Sequence, residues 1–351
     1  MTGLKVISSE EEWKDILEAN YFDDIYYQYE FAKSLELHGD GMPLLIYYQG
    51  KDVRLFYVVM KRDIAEDPHF QNDLNKGELF DMETPYGYGG PIVVGEFSEE
   101  EQESFKRELK QYCQEQGIVS QFVRFYPMLD NHNCSALFDE NKHLKDTIYI
   151  DTSEEELIFK NMDSKNRNMV RKAIKNDVTI FQDKGERLDD FLRIYEHTMQ
   201  MHEADEYYTF GRDYFEYLIE HMYENINFFY ALYENQVISA SMFLFNKEIM
   251  HYHLSGTEPE FRNLAAANLL LYEAAKWAAK EGIPRFHLGG GMSRGDSLFG
   301  FKKQFNKTGQ LPFVIGKTVF MPERYEELLD IRVRNEEAFD RNNVFFIQYR
   351  K

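Results

Sequence analysis

The feature that most constrains the fold is an order of predicted elements that occurs twice along the chain. In the first half, β-rich runs at residues 43–48 and 53–59 flank a polar turn that contains a glycine, which predicts a hairpin. A polar helix over about 98–116 and a strand over 120–126 follow. The first half is therefore predicted to contain a hairpin, a helix and a strand in that order.

The second half repeats this order. A helix that begins near Leu188 precedes a second hairpin within residues 228–245. A strand over 249–254, an apolar helix over 265–280 and a strand over 285–288 complete the series. A series that recurs in this way indicates one architecture used twice.

The repeat predicts two domains of the mixed α/β class. We expect the boundary near Lys145, with residues 1–145 in an N-terminal domain and residues 146–351 in a C-terminal domain. A chain of 351 residues is long enough for two hydrophobic cores. The apolar helix over 265–280 is apolar nearly all round and should be buried.

Three helix starts are predicted from the capping-box spacing, in which a hydroxyl and a carboxylate bind the first free N–H groups of a helix. The pairs are Ser9 with Glu12, Ser98 with Glu101 and Ser153 with Glu156.

The charge of the chain limits the partners that it can bind. There are 40 Lys and Arg residues against 61 Asp and Glu, which gives a formal net charge of −21. General binding to nucleic acids or to a membrane surface is disfavoured, so an anionic substrate would need a local basic patch. No apolar run suits a signal peptide or a membrane span, and Cys113 and Cys134 cannot build a disulfide scaffold. We expect a cytoplasmic protein without stable membrane insertion.

The strongest local signal follows the strand over 285–288. A triple glycine at residues 289–291 leads towards a helix that carries Lys302 and Lys303. Consecutive glycines allow close approach to a ligand, and N–H groups that precede a helix favour an anion or a developing oxyanion. At most one lysine can face such a site, and Asp296 is placed to cap the helix. A tight turn with two solvated lysines explains the spacing equally well.

A second signal is a cluster of six basic residues within residues 160–175. They are Lys160, Lys165, Arg167, Arg171, Lys172 and Lys175, against one acid in the same segment. Arg167, Arg171 and Lys175 recur every four residues and share one helical face, which suits a phosphate or a pyrophosphate. The alternative, a solvated face paired with acids elsewhere, is slightly favoured by the pattern alone.

Two further candidate sites carry weaker signals. His251 and His253 lie two residues apart, as metal ligands sometimes do, but no third ligand is evident and no metal is expected. Residues 83–91 form an aromatic and glycine loop in which Tyr86 and Tyr88 either line a pocket or belong to a simple turn. The sequence contains no nucleophile elbow, Walker loop or Rossmann fingerprint.

These segments occur in the order typical of one family. Residues 86–91, 167–176, 251–256, 288–291 and 301–305 together resemble the FemABX-like branch of the GNAT acyltransferase superfamily. The resemblance extends from about residue 24 to about residue 325, and its glycine and Phe-Lys motifs are the most specific part. It implies two tandem GNAT-like domains.

The resemblance also implies an activity. Members of the family transfer an amino acid from aminoacyl-tRNA to an amine of a peptidoglycan-precursor peptide, without an enzyme nucleophile. Lys302, in the Phe-Lys motif, would lie beside the reacting ester as the catalytic residue and stabilise the oxyanion. No bound cofactor is implied. The implied substrate-binding residues are Tyr86, Tyr88, Arg167, Arg171, Gly289, Gly290, Gly291 and Phe301.

Two departures from the family pattern leave the substrate open. Many members have Arg-Gly-Pro followed by an acid where this chain has Gly-Gly-Pro followed by Ile92. Ala265 stands where the pyrophosphate loop of a GNAT enzyme has its first glycine, which disfavours coenzyme A as the donor. A coenzyme A-dependent N-acyltransferase on a small amine and a non-catalytic binding protein with a GNAT-like fold are the alternatives.

Overall fold

The computed structural model of the chain describes residues 2–201 and 206–351. The backbone divides into two compact units. The first comprises Met1–Leu144 and Phe313–Lys351, and the second comprises Lys145–Pro312. Each unit has its own set of paired strands and its own apolar core.

The elements are numbered in chain order. The strands are β1 (Gly3–Ile7), β2 (Met42–Gln49), β3 (Val53–Asp63), β4 (Phe80–Glu83), β5 (Ile92–Gly95), β6 (Ile118–Arg124), β7 (Glu140–Asp151), β8 (Thr179–Asp183), β9 (Ile226–Tyr233), β10 (Gln236–Phe245), β11 (Ile249–Thr257), β12 (Arg285–Gly289) and β13 (Gln310–Val319). The α-helices are α1 (Glu10–Ala19), α2 (Tyr29–His38), α3 (Glu99–Glu115), α4 (Glu155–Asn161), α5 (Ser164–Lys175), α6 (Leu188–Met201), α7 (Arg212–His221), α8 (Ala266–Lys280), α9 (Ser297–Lys303) and α10 (Pro322–Asn335).

The strands of the first unit follow the order β1-β2-β3-β4-β6-β13, and β5 pairs with β3. Strands β1 to β4 are antiparallel, β6 is parallel to β4, and β13 is antiparallel to β6. Helix α3 lies between β4 and β6 in the chain. It buries Phe105, Leu109 and Cys113 in the core of this unit.

The strands of the second unit follow the order β8-β9-β10-β11-β12-β7. Strands β8 to β11 are antiparallel, β12 is parallel to β11, and β7 is antiparallel to β12. Helix α8 connects the two parallel strands. It is buried as predicted, because Leu269, Leu270 and Ala274 pack in one core with Phe243 and Phe286.

The two units share one strand topology. In each, four antiparallel strands are followed by a helix and a fifth strand that returns parallel to the fourth, and a sixth strand then pairs antiparallel with the fifth. The sixth position is taken by β13 in the first unit and by β7 in the second. The mixed α/β class and the repeat predicted from the sequence are confirmed.

The end of the chain differs from the prediction. The sequence predicts that all of residues 146–351 lie in the second domain, but Phe313–Lys351 belongs to the first unit. Helix α10 and the residues after it pack in a core with side chains from far earlier in the sequence, which local periodicity cannot reveal. That core contains Ile64, Phe70, Val119, Tyr325, Leu328, Leu329, Ile347 and Tyr349.

Only one of the three predicted capping boxes forms. At α3, Ser98 accepts a hydrogen bond from the backbone N–H of Glu101, whose carboxylate accepts one from the N–H of Ser98. Ser9 precedes α1 without a capping hydrogen bond from its side chain. Before α4 the capping position is taken by Glu154, and the Ser153 hydroxyl donates to Asp151 instead. Among residues 2–201 and 206–351, no helix combines the length and apolarity that crossing a bilayer requires.

Candidate active site

Strands β11 and β12 separate part of the way along their length. Their parallel pairing covers three residue pairs and ends at His251 opposite His287. Strand β11 continues to Thr257, whereas β12 ends at Gly289, which pairs with Ile148 of β7. The backbone therefore opens between the second half of β11 and the glycines that follow β12. This opening lies at the carboxyl ends of two parallel strands, where α/β sheets bind their ligands.

The triple glycine forms a turn in which side chains have no room. Gly289 has a φ of 72°, which is in the left-handed region. A Cβ atom on Gly290 would lie 2.9 Å from the carbonyl oxygen of Asp146, and one on Gly291 would lie 2.0 Å from Oδ1 of Asp296. Gly289 is therefore favoured by its backbone conformation and Gly290 by the nearby backbone, whereas a side chain at Gly291 would displace the carboxylate of Asp296.

Asp296 joins the turn to α9. Its carboxylate accepts hydrogen bonds from the backbone N–H of Phe299 and of Ser293, each at 2.8 Å. The first of these caps α9, as predicted from the sequence. The second fixes the loop between the glycines and the helix, so one carboxylate holds both.

Lys302 is the lysine that faces inward. Its side chain lies on α9, only 8% of the residue is exposed, and its neighbour Lys303 is exposed. The Lys302 Nζ donates to the carbonyl oxygen of Gly290 at 2.7 Å and lies 5.6 Å from the ring centroid of Tyr252 on β11. Lys302 is thus held between the glycine turn and the separated part of β11.

Two lysines share this turn. The Nζ of Lys145 donates to the carbonyl oxygen of Gly291 at 2.5 Å. Burial, and then the positive charge of Lys145, lower the pKa of Lys302 to about 7, while Asp296 opposes the shift. Burial also lowers the pKa of Lys145. Near neutral pH, Lys302 is therefore close to half protonated, and small changes in its surroundings would shift its charge.

Three histidines at the base of the opening are neutral at neutral pH. The rings of His251 and His287 meet edge to face, with centroids 5.6 Å apart. Burial, and then the charge of Lys302, lower the pKa of His287 to about 3, and burial lowers that of His253 to about 3. His253 and the Tyr214 hydroxyl are hydrogen-bonded at 2.7 Å. Within the described parts of the chain, no three His, Cys, Asp or Glu side chains group as metal ligands would.

Arg167 and Arg171 lie on α5 in the same unit. Both guanidinium groups lie near the ring of Phe159, with Cζ 5.8 Å and 5.3 Å from its centroid. Arg167 donates to the carbonyl oxygens of Phe159 and Met162, and Arg171 donates to Asn168. The two guanidinium groups therefore lie beside the same aromatic ring.

Phe301 is half-buried on α9, one residue before Lys302, and its ring meets that of Phe305 edge to face at 5.4 Å. Phe305 is fully buried in the core beneath the site. Phe301 therefore fixes the orientation of α9 through an aromatic contact.

Tyr86 and Tyr88 belong to the first unit. The Tyr88 ring stacks on Tyr126 at 5.8 Å and meets Tyr26 edge to face at 5.7 Å. Burial raises the pKa of the Tyr88 hydroxyl. Tyr86 and Tyr88 are each half-buried, and their assignment to substrate binding stays a prediction.

Sequence reasoning missed two residues of the site. Lys145 was identified only as the domain boundary, and its contact with Gly291 joins residues 146 positions apart. Tyr252 was part of a family motif but received no role. The two contacts follow from the pairing of β7 with β12 and of β12 with β11, which local sequence patterns do not specify.

Ala265 adopts the backbone conformation of a glycine. Its φ is 58° and its ψ is 34°, in the left-handed region that alanine rarely occupies. Ala265 occupies the N-cap position of α8. Its methyl side chain cannot accept a hydrogen bond from the first N–H groups of the helix. The loop therefore keeps the backbone geometry that the missing glycine would allow, at the cost of local strain.

Comparison with known proteins identifies the class of this fold. Residues 161–303 match the model of the acetyltransferase (GNAT) domain. FemX superimposes with a TM-score of 0.64 and 13% identity, covering 92% of this chain and 99% of its own. A conserved protein of unknown function from Bacteroides thetaiotaomicron gives a TM-score of 0.57 and 11% identity, covering 90% of this chain and 99% of its own. Among curated proteins, none matches the sequence.

The segment that matches the GNAT acetyltransferase model thus contains the glycine turn and Lys302. The fold of the chain as a whole is similar to that of FemX, which confirms the predicted resemblance and the tandem GNAT-like architecture. The match over this segment supports an acyltransferase class for the protein.

Proposed function

We propose that this protein transfers an aminoacyl group from a charged tRNA to an amine of a peptidoglycan-precursor peptide. The observation that carries the proposal is Lys302, whose side chain is buried beside the opening between β11 and β12. The FemX fold and the order of the family motifs support the choice of donor and acceptor. Transfer would take place at the glycine turn of the second unit.

In the proposed reaction, the neutral acceptor amine attacks the ester carbonyl carbon of the donor. A C–N bond forms, and the carbonyl oxygen becomes an oxyanion. Lys302 has three N–H donors when charged, and one of them is directed at Gly290. The remaining donors would stabilise the oxyanion in surroundings of low dielectric constant, where such contacts are strongest.

Collapse of the intermediate breaks the ester C–O bond and releases the ribose oxygen, which needs a proton. The attacking amine must lose one. A lysine with a pKa of about 7 can give a proton to the leaving oxygen and recover one from the amine near neutral pH. No covalent enzyme intermediate is needed.

A second candidate is an acyl-coenzyme A donor with a small amine as acceptor. One observation favours it: Ala265, which stands at the expected first glycine of the pyrophosphate loop, holds a left-handed backbone conformation that suits glycine. Its methyl group would still limit close approach of a phosphate to the backbone. We therefore keep this donor as the alternative.

The test is a transfer assay in which both donors are offered. Purified protein is incubated with a peptidoglycan-precursor peptide and either charged tRNA or acyl-coenzyme A, and the peptide is analysed by mass spectrometry. A mass increase of one aminoacyl residue with charged tRNA supports the proposal. A product formed only with acyl-coenzyme A would replace it with the second candidate.

A further inference from the structure

Helices α4 and α5 carry a group of cations that form no ion pair within the part of the chain that the structure describes. We call it the cationic face, and it consists of Lys160, Lys165, Arg167, Arg171, Lys172 and Lys175. None of the six forms an ion pair with a residue of 2–201 or 206–351, whereas exposed Arg187 and Arg212 of the same unit both do. Pairing with acids elsewhere, which the sequence pattern favoured, is therefore wrong for the described residues.

The interaction of cations with the helix dipole accounts for only some of the residues of the cationic face. Lys172 and Lys175 lie in the last turn of α5, where cations interact favourably with the helix dipole. Arg167 lies in the first turn, where the dipole opposes a positive charge. Asp163 caps α5, but its carboxylate accepts from the backbone N–H of Lys165 and forms no ion pair with Arg167. The arrangement at Arg167 and Arg171 thus calls for an anion from outside the chain.

The two arginines are also held in place. Both guanidinium groups lie within 6 Å of the same ring, that of Phe159, and Arg167 is fixed by hydrogen bonds to the carbonyl oxygens of Phe159 and Met162. The ring itself packs on Tyr272 with centroids 5.8 Å apart. Two like charges oriented without a carboxylate provide planar donors that match phosphate oxygens.

The cationic face adjoins α9, the helix that carries Lys302. The backbone N–H of Asp163, the residue that caps α5, donates to the carbonyl oxygen of Gln304 at 2.8 Å, two residues after Lys302. The N–H of Lys307 donates to the carbonyl oxygen of Asn161 at 3.3 Å. Lys303 and Lys307 are exposed and form no ion pair with a described residue. Lysines without an ion-pair partner among the described residues therefore occur at the end of α9 and just after it as well as on α5.

The length of the row indicates what binds. Arg167, Arg171 and Lys175 follow one side of α5 over eight residues, which is about 12 Å of helix. A diphosphate needs only two neighbouring cations, whereas phosphates recur every few ångströms along a nucleic-acid strand. We propose that the cationic face binds successive phosphates of the RNA strand of the donor and directs its aminoacyl end towards Lys302. This inference rests on the proposed function, because it assigns a surface to the tRNA donor.

The experiment measures RNA binding apart from transfer. Binding of a labelled, uncharged tRNA to the full chain is followed by fluorescence anisotropy over a range of salt concentrations. The test variant combines Arg171→Ala with Lys175→Ala, both exposed. The matched control combines Arg187→Ala with Arg212→Ala, which removes the same charge from ion-paired positions of the same unit. Circular dichroism verifies that both variants are folded.

We expect the test variant to bind tRNA at least about tenfold more weakly than the unmodified chain, with a salt slope smaller by about 1 to 2 units. The control should keep most of the affinity and the slope. Equal weakening in both variants would overturn the inference, because it would indicate only general charge. Binding to phosphatidylglycerol vesicles but not to tRNA would overturn it as well.

One further variant separates this inference from the proposed function. Lys302→Ala should bind tRNA like the unmodified chain and fail to transfer. If tRNA binding depends on Arg171 and Lys175 but the unmodified chain transfers nothing, the surface stands and the proposed reaction fails. If transfer from tRNA occurs and the test variant keeps full affinity, the reaction stands and the surface fails.

Discussion

The Nζ atom of Lys302 lies 2.7 Å from the carbonyl oxygen of Gly290, so the same hydrogen bond orients the lysine and holds the glycine turn. The glycine turn also disfavours a side chain at positions 290 and 291, because a Cβ atom there would meet Asp146 and Asp296. Sequence, turn geometry and the position of the charge are therefore coupled. Each part of this coupling can be tested separately by mutation.

Replacing Lys302 by alanine should abolish transfer with little effect on folding. Loss of one preorganised donor to an oxyanion lowers kcat by about 10²- to 10³-fold. The measurement is product formation by mass spectrometry, with the thermal unfolding midpoint recorded in parallel. Lys247→Ala, an exposed lysine in the turn between β10 and β11, is the matched control and should keep full activity. Unchanged turnover in the Lys302→Ala variant would remove Lys302 from the mechanism.

Transfer and stability should change with pH in opposite directions. The folded pKa of Lys302 is about 7, below the usual value near 10.4 for an unfolded chain. Between these values the unfolded chain binds the additional proton, so this group makes folding more stable as pH rises from about 7 to about 10. The charged form that would stabilise the oxyanion is lost over the same interval. We therefore expect kcat/KM, once it is divided by the fraction of acceptor amine that is neutral at each pH, to fall above pH 7 while the free energy of unfolding rises.

Two variants test the origin of this pH dependence. Lys302→Arg keeps its charge at every accessible pH, so the fall in kcat/KM above pH 7 should disappear if the variant retains activity. Lys302→Met removes the titrating group, and its free energy of unfolding should show a smaller rise between pH 7 and pH 10. A rise equal to that of the unmodified chain would mean that other groups cause it.

The glycine turn itself can be tested by a double-mutant cycle. In Gly291→Ala, the new Cβ atom would lie 2.0 Å from Oδ1 of Asp296, so the carboxylate must move and lose its hydrogen bonds to Ser293 and Phe299. We expect a loss of about 1 to 3 kcal/mol in the free energy of unfolding. Asp296→Ala should cost about 1 kcal/mol through loss of the cap.

The two changes should not add. Once Asp296 is shortened to alanine, the Cβ atom on Gly291 has room, so the double variant should be less destabilised than the sum of the single variants. Gly300→Ala is the matched control, because a Cβ atom there meets nothing within 4 Å and alanine favours the helix. Additive losses measured by urea denaturation would show that the clash with Asp296 is not the cause.

Features with a local cause could be predicted from the sequence. The cap at Asp296, the burial of α8 and the hairpin of β2 and β3 each depend on residues within one segment. That at most one of Lys302 and Lys303 faces the site also follows from their adjacent positions on one helix, and the family resemblance identified Lys302 as that lysine. For these elements, propensity and tertiary packing agree.

Features that depend on distant partners could not be predicted. The return of α10 to the core of the first unit and the contact of Lys145 with Gly291 both join residues far apart in the chain. The conformation of Ala265 contradicts its residue type, so no sequence rule would propose it. The lack of partners for the cationic face depends on where the acids are placed, which only the fold decides.

Acid stability of the first unit should depend on Asp81. This carboxylate is buried and accepts from Arg62 at 2.9 Å and from Arg350 at 2.8 Å. Burial alone would raise its pKa, but the charges of Arg350 and then Arg62 hold the pKa at about 2. Since this is below the unfolded value of about 3.9, the stability that Asp81 contributes is present above pH 4 and is lost as pH falls towards 2.

Asp81→Asn should therefore destabilise the protein at neutral pH and reduce its sensitivity to acid. Removing one partner of a buried ion pair costs about 3 to 5 kcal/mol, because the arginines stay behind without the charge that offset their desolvation. Glu327→Gln, which breaks an exposed pair with Arg324 in the same unit, is the control and should leave the unfolding midpoint unchanged. Urea denaturation at pH 7 and at pH 3 measures both effects. If Asp81→Asn and the unmodified chain lose the same stability between these pH values, Asp81 does not control acid unfolding, and Glu83, which is bound by Arg62 and Arg124, becomes the carboxylate to test.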